Sequence, residues 1–179
     1  MDLRTRSEML AALPRLRRFA RGLVGNQHEA DDLVQTACER AIRHFDGWEP
    51  GARLDSWMFR VLQTAWIDRR RAPRVRNDYV ETIAAVTNPV VGGEAQALAS
   101  LTLGMVDAAM QLLPESQRAV LLLVCVEQLS YAEAAEVLGV PVGTVMSRLA
   151  RGRLALRRLI DGVEPSEGIE VLRPLEARG

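Results

Sequence analysis

Apolar residues recur at spacings of three and four along most of this chain. No segment alternates with the period of two that marks a half-buried strand. Residues 8–24 place Leu10, Leu13, Leu16, Phe19, Ala20 and Leu23 on one side, and Gly25 and Asn26 end the run. Residues 28–45 repeat the pattern with Ala30, Leu33, Val34, Ala37, Cys38, Ala41, Ile42 and Phe45. A loop follows at Asp46–Arg53, punctuated by Gly47, Pro50 and Gly51. A third helix is predicted from about Asp55 to Arg71, built on Trp57, Met58, Val61, Leu62, Ala65 and Trp66 and ending in Arg69-Arg70-Arg71 before Pro73. Residues 72–94 show no sustained period and read as a linker. Helix returns from Ala95 to Leu113, and Pro114 with Glu115 opens another through Glu127. After Ile160 the pattern breaks at Gly162, Pro165 and Gly168, leaving a loose tail over 161–179. The predicted fold class is all-α: two small helical modules, 8–71 and 95–160, joined by a flexible linker.

Residues 130–160 carry the sharpest local signal. Ser130 with Glu133 three residues later forms a capping box. Gly139 sits where a helix end wants a residue that tolerates positive φ, and Pro141 suits the start of the next helix. That next helix carries Arg148, Arg151, Arg153, Arg157 and Arg158 with no acid before Asp161. At about 100° per residue, Val145, Leu149, Leu156 and Ile160 share the inner face, while Thr144, Ser147, Arg148, Arg151 and Arg158 face outward. Helix, tight turn and Arg-bearing helix make a helix-turn-helix whose second helix meets DNA. Ser and Thr bond phosphates or bases, and Arg pairs bidentately with guanine. The amides near Val142, Gly143 and Thr144 form a phosphate site at the helix start.

A chain of 179 residues that is 48% hydrophobic can bury one domain core or two small ones. All 23 basic residues are Arg, and they balance 23 acids to a net charge of zero. The balance is uneven along the chain. Residues 1–71 hold 13 Arg and 10 acids (+3), and residues 72–113 hold 2 and 4 (−2). Residues 114–160 hold 6 and 4 (+2), and residues 161–179 hold 2 and 5 (−3). Two mildly basic modules thus flank an acidic linker and precede an acidic tail. Such weak basicity argues against tight DNA binding alone and fits a reader to which a partner supplies most of the affinity.

Cys38 and Cys125 are too few for a disulfide framework, and each is expected as a buried free thiol. His28 and His44 have no Cys or His at ligand spacing, so neither a metal nor another cofactor is expected. The one acidic set that invites an enzymatic reading is Glu29, Asp31, Asp32 and Glu39 beside His28. Adjacent Asp31 and Asp32 diverge by about 100° on a helix and do not converge on one ion. The longest apolar run, Ala119–Val126, is too short to span a bilayer. No signal peptide is visible, and a cytoplasmic, non-enzymatic protein without a membrane partner is expected.

The two modules together resemble the extracytoplasmic-function (ECF) group of bacterial sigma factors. In the first, the match is EADDLVQTACERAI (Glu29–Ile42) and RLDSWMFRVLQTAWIDRRR (Arg53–Arg71). In the second it is LPESQRAVLLL (Leu113–Leu123) and LSYAEAAEVLGVPVGTVMSRLARGRLAL (Leu129–Leu156). LPRLRRFARGLVG (Leu13–Gly25) looks most like the subgroup that runs the general stress response in alphaproteobacteria.

The resemblance implies a region 2-like module, a region 4-like module and a set of roles. Asp31, Asp32, Leu33, Val34 and Gln35 would bind the clamp helices of the polymerase β′ subunit, polar residues rimming an apolar anchor. By themselves they read equally as an ordinary helix start, where acids are favoured. Trp57, Arg60, Gln63, Thr64, Asp68 and Arg69, Arg70 and Arg71 would open and read the promoter −10 element. Flipped bases need a pocket, and a basic surface tracks the backbone. Trp57 and Trp66 suit a helical core as well. Gly143, Thr144, Met146, Ser147, Arg148, Ala150 and Arg151 would read the −35 element. The implied partners are core RNA polymerase (β′ clamp helices and β flap), promoter DNA and an anti-sigma protein.

Three departures from the family pattern bear on promoter preference. Met146 stands where a basic residue is common, and Thr64 replaces a common Asn. Gly152 stands where Ala is usual, softening the recognition helix by roughly 1 kcal/mol. Two other functions compete. A stand-alone helix-turn-helix regulator leaves the D-D-L-V-Q and Trp-Arg helices idle. A decoy that only titrates an anti-sigma protein has no use for Arg148, Arg151 and the Arg69–Arg71 run.

Overall fold

The structure, a computed structural model, describes residues 2–49, 51–71 and 94–162. The segments read as linker and tail lie almost wholly outside the described residues. Among the described residues every regular element is a helix.

The first module is α1 (Leu3–Val24), α2 (Gln27–Arg43) and α3 (Leu54–Arg71). Helix α1 starts five residues before the expected Glu8, because the Asp2 side chain accepts from the Thr5 amide and caps it. Its buried stripe is Thr5, Met9, Ala12, Leu16, Phe19, Ala20 and Leu23. Leu10, expected inside, is exposed, since Met9 takes the inner position one residue away. Gly25 ends α1 at φ +83°, and Asn26 caps α2 through the Glu29 amide. Ile42 is exposed beyond the last inward turn of α2. Phe19 and Phe59 meet edge to face at 5.4 Å in the centre of this core.

The second module is α4 (Glu94–Leu112), α5 (Glu115–Leu121), α6 (Tyr131–Leu138) and α7 (Val142–Ile160). The expected single helix 115–127 changes at Leu122, where a π-helical turn runs to Val126. The Glu127 amide reaches back to the Leu122 carbonyl, and Gln128 then takes a left-handed φ of +58°. This ending turns Glu127 inward and lets the Leu129 amide bond the Leu123 carbonyl.

The modules pack on one another. Helix α1 lies against α4 and α5, and α3 lies against α6. Their apolar residues form one continuous core. Gly22 of α1 is buried, and a Cβ there would overlap the Leu122 side chain, so the missing side chain allows the close approach. Gln111 adds a polar tie, donating to the Gly22 carbonyl at 3.0 Å and accepting from the buried Arg118 guanidinium.

Candidate nucleic-acid interface

Helix α6 begins with both halves of the Ser130–Glu133 capping box in place. Gly139 ends it at φ +63°, and Pro141 precedes α7. Val145 and Leu149 are buried and seat α7 in the module. Gly152 is buried too, with a Cβ there meeting Leu121 at 3.0 Å and Gln117 at 3.3 Å. The glycine read as a weakness of the helix is therefore where α7 closes on α5. Leu156 is half-buried, but Ile160 is exposed because the helix has by then run past its neighbours.

The outward stripe of α7 is Gly143, Met146, Ser147, Ala150 and Arg151, with exposed Leu154 one turn on. The Ser147 hydroxyl donates to the Thr144 carbonyl, and Arg151 Nε donates to the Ser147 carbonyl at 3.2 Å. These local bonds lay Arg151 along the helix. Three expectations shift. The Thr144 amide already donates to Pro141, which narrows the phosphate site to the amides of Val142 and Gly143. Arg158, expected outward, is half-buried. Arg148 is half-buried as well and turns toward the first module.

On α3, Arg60, Thr64, Asp68, Arg69, Arg70 and Arg71 are exposed. The Thr64 hydroxyl is spent on the Arg60 carbonyl at 2.9 Å. Trp57 is half-buried against Phe45, and Trp66 is buried with the Arg70 guanidinium 5.6 Å above its ring. Gln63, expected to face DNA, is buried, and its Oε1 has no protein partner. Gln63, Trp66, Arg70 and Arg71 line a cleft between the modules, and Arg148 lines its other wall. Arg69 pairs with Glu29 at 3.4 Å, and Arg70 pairs across the cleft with Glu115.

On α2, Asp31, Asp32 and Gln35 are exposed, whereas Leu33 and Val34 belong to the core. The apolar anchor expected at the surface thus holds the helix down. Val34 only edges a groove between α1 and α2, shared with Leu13, Arg17, Asp31, Gln35 and Cys38.

Two family models match the chain in this order. One, described as the sigma2 domain of PhyR, matches residues 9–63. The other, described as sigma-70 region 4, matches residues 103–156. The chain is 37% identical over 161 residues to the ECF RNA polymerase sigma factor EcfG of Rhodopseudomonas palustris, covering 89% of this chain and 87% of that one. It is 32% identical over 147 residues to the ECF RNA polymerase sigma factor SigW of Bacillus subtilis, covering 76% and 78%. Among solved structures, it superposes on the sigma factor RpoE of Bartonella quintana, determined in complex with the anti-sigma factor NepR. That match has a TM-score of 0.73 and 31% identity, and covers 87% of this chain and 96% of the other.

The chain belongs to the ECF sigma factors.

In this sigma factor the charges between the modules were not legible as contacts. Glu127, buried in a helical module, accepts from Arg15 Nε at 3.0 Å, Arg18 Nε at 2.7 Å and Arg18 Nη2 at 3.0 Å. Its backbone carbonyl accepts from Arg15 Nη2 at 2.8 Å. Hydrogen bonding to Glu127 pushes the Arg18 guanidinium still further up in pKa. Arg15 also donates to Asp55 at 2.5 Å, so one guanidinium joins α1, α3 and the second module. Arg53 in turn pairs with Asp55 and Glu133.

The cysteines also differ from each other. Cys38 is half-buried, and burial pushes its thiol up. Cys125 is exposed rather than buried, beside Arg153 Nη2 at 3.5 Å, because the π-helical turn rotates it outward. Among the described residues no group of His, Cys, Asp and Glu can hold a metal ion, and no helix is long and apolar enough to cross a membrane.

Proposed function

We propose that this sigma factor binds core RNA polymerase and directs initiation at promoters with −35 and −10 elements, as part of a stress response. The observation that carries the reading is that one chain presents two distinct exposed helical surfaces. One is the exposed stripe Gly143, Met146, Ser147, Ala150 and Arg151 on a capped recognition helix. The other is the Arg-rich end of α3.

The −35 element would be read by Ser147, Arg148 and Arg151, with Gly143 and Thr144 at the backbone. Met146 and Ala150 offer apolar contact to thymine methyls instead of a guanine or phosphate bond. The −10 strand would run along Arg60, Arg69, Arg70 and Arg71, with Trp57, Gln63 and Thr64 nearby. Asp31, Asp32 and Gln35 would face the polymerase clamp, and the α1–α2 groove beside them would widen that contact. An anti-sigma protein is the expected regulator, and the stress role rests on the resemblance of Leu13–Gly25 to the general-stress-response subgroup. No step of chemistry is assigned to any side chain.

Association with core polymerase tests the reading. Purified chain should co-elute with core enzyme, and Asp31→Ala with Gln35→Ala should weaken that association at least about tenfold, or ~1.4 kcal/mol. A chain that ignores core polymerase and instead binds duplex DNA as a dimer would overturn it.

A further inference from the structure

The cleft lined by α3, α5 and α7 gathers positive charge that its own acids do not neutralise. Arg70 and Arg71 lie on one wall and Arg148 on the other, and among the described residues Glu115 is the one acid that lines it. Arg70 is already engaged, paired with Glu115 and lying over the Trp66 ring. Arg148 is half-buried, and among the described residues no acceptor holds its guanidinium. Arg71 meets no acid there either. Arg118, on the same helix as Glu115, is buried, bonds Gln111 and leaves its Nε without a partner. Burial, and after it the charge of Arg70, pushes the Arg118 guanidinium below its ordinary pKa. Cations withdrawn from water are ordinarily paired, because an isolated charge is costly to desolvate. This cleft therefore lacks an anion.

The uncharged part of the lining says what kind of anion fits. Ile67 and Leu138 give the cleft an apolar side. Gln63 also lines it, and its buried Oε1 accepts from no protein group. That oxygen suits an N–H or hydroxyl donor on the ligand. Guanidinium groups bind phosphate oxygens bidentately, and two of them on opposite walls suit two phosphates. The cavity measures about 370 Å³, near the low end of the range for small-molecule sites. That is room for one nucleotide rather than a run of them. We infer that this cleft is a binding site for a free nucleoside diphosphate. Arg71 and Arg148 hold its phosphates, and Gln63 with the apolar side holds its nucleoside.

Glu115 sets the charge the site accepts. By pairing with Arg70 it leaves Arg71 and Arg148 as the uncompensated cations of the lining, a match for a short phosphate chain. The site itself does not rest on promoter reading. Its consequence does: Arg71 and Arg148 are also assigned above to the −10 and −35 elements, so a bound nucleotide withholds both from DNA.

Titration calorimetry on the full-length chain tests the site without polymerase or promoter, using ADP, inorganic pyrophosphate and adenosine as probes. ADP should bind saturably, pyrophosphate more weakly, and adenosine should give no measurable heat. Arg71→Ala and Arg148→Ala should each weaken ADP binding at least about tenfold, with helicity retained. Arg71 is exposed, so its variant keeps the fold if Arg148→Ala does not. Gln63→Leu should weaken ADP and leave pyrophosphate unchanged. Arg43→Ala, at an exposed position of α2 outside the cleft, should change neither. No saturable ADP binding, or binding that survives both cleft substitutions, would overturn the site. An equal loss in Arg43→Ala would mean diffuse attraction to a basic surface and would overturn it too. ADP and pyrophosphate binding alike, with Gln63→Leu silent, would overturn the nucleoside part of the assignment. If single-stranded DNA binds through Arg71 and Arg148 while ADP does not, the cleft belongs to promoter DNA and the inference fails.

Discussion

Arg53, in the loop before α3, donates to Glu133, whose carboxylate also accepts from the Ser130 amide in the capping box of α6. The hydrogen bonds from Ser130 lower the Glu133 carboxyl below its ordinary value, with Arg53 adding to the effect. The start of the helix-turn-helix is thereby tied to the first module. Ser130→Ala removes the local half of this arrangement and should cost about 1 kcal/mol by denaturant unfolding. Arg53→Ala removes the long-range half. Its guanidinium is more than half exposed, so the loss should stay under ~1 kcal/mol and shrink at high salt.

Gly152 is a packing contact in the recognition helix. Propensity alone says that any larger residue should strengthen α7. With Leu121 and Gln117 already at van der Waals limits, Gly152→Val should instead destabilise the protein by about 1–3 kcal/mol. The denaturant midpoint should fall with an unchanged slope. A rise in the midpoint would show that α5 yields freely at this contact.

Gln128 is the only non-glycine residue with positive φ among the described residues, and it is exposed. It ends the π-helical turn that aims Glu127 inward. Gln128→Gly keeps the turn and relieves the strain, so it should raise stability by about 0.5–1 kcal/mol by denaturant unfolding.

Asp55 sets an acid-side signature. Burial pushes its carboxyl up, but hydrogen bonds from Arg53 and Arg15 outweigh this and hold it below the usual 3.8. A carboxyl lowered in the folded state contributes stability above its unfolded pKa and loses it as pH falls through the folded one. The contribution of Asp55 should therefore be complete at neutral pH, begin to fall as pH approaches about 4, and vanish only below its lowered folded pKa. Unfolding measured against pH should show a shallower acid limb for Asp55→Asn than for the parent. Parallel limbs would show that Asp55 gains nothing from its arginines.

The local signals in the chain were legible. Ser130, Glu133, Gly139 and Pro141 act within a few residues of themselves, and they cap, end and start helices as their chemistry dictates. The inner stripe around Val145 and Leu149 follows from helical period alone. What period cannot resolve is a one-residue choice such as Met9 over Leu10, or the point where a helix outruns its neighbours, as at Ile42 and Ile160. The π-helical turn left no mark in the apolar run Ala119–Val126, so neither the exposure of Cys125 nor the inward turn of Glu127 was visible. The candidate site followed the same division. Of the set that period places outward on α7, Ser147 and Arg151 are exposed and Thr144, Arg148 and Arg158 are half-buried, while the arginines of α3 are exposed as expected. Gln63, Leu33 and Val34 are buried and Arg148 is half-buried, and helical period does not report this because it depends on tertiary packing within and between the modules. Net charge hid this arrangement, since Arg70, expected at DNA, and Arg18 and Arg53 of the basic first module all face acids of the other module.

Promoter-directed initiation is the most direct measurement. Purified chain is added to core RNA polymerase, and transcript starts are mapped on a library of promoters with varied −35 and −10 sequences. Starts should appear only when the chain is present, at a defined pair of sequences, and should vanish with Arg148→Ala plus Arg151→Ala while polymerase binding persists. Starts that are unaffected by those substitutions, or no chain-dependent starts at all from a polymerase-bound chain, would contradict a two-element promoter reader.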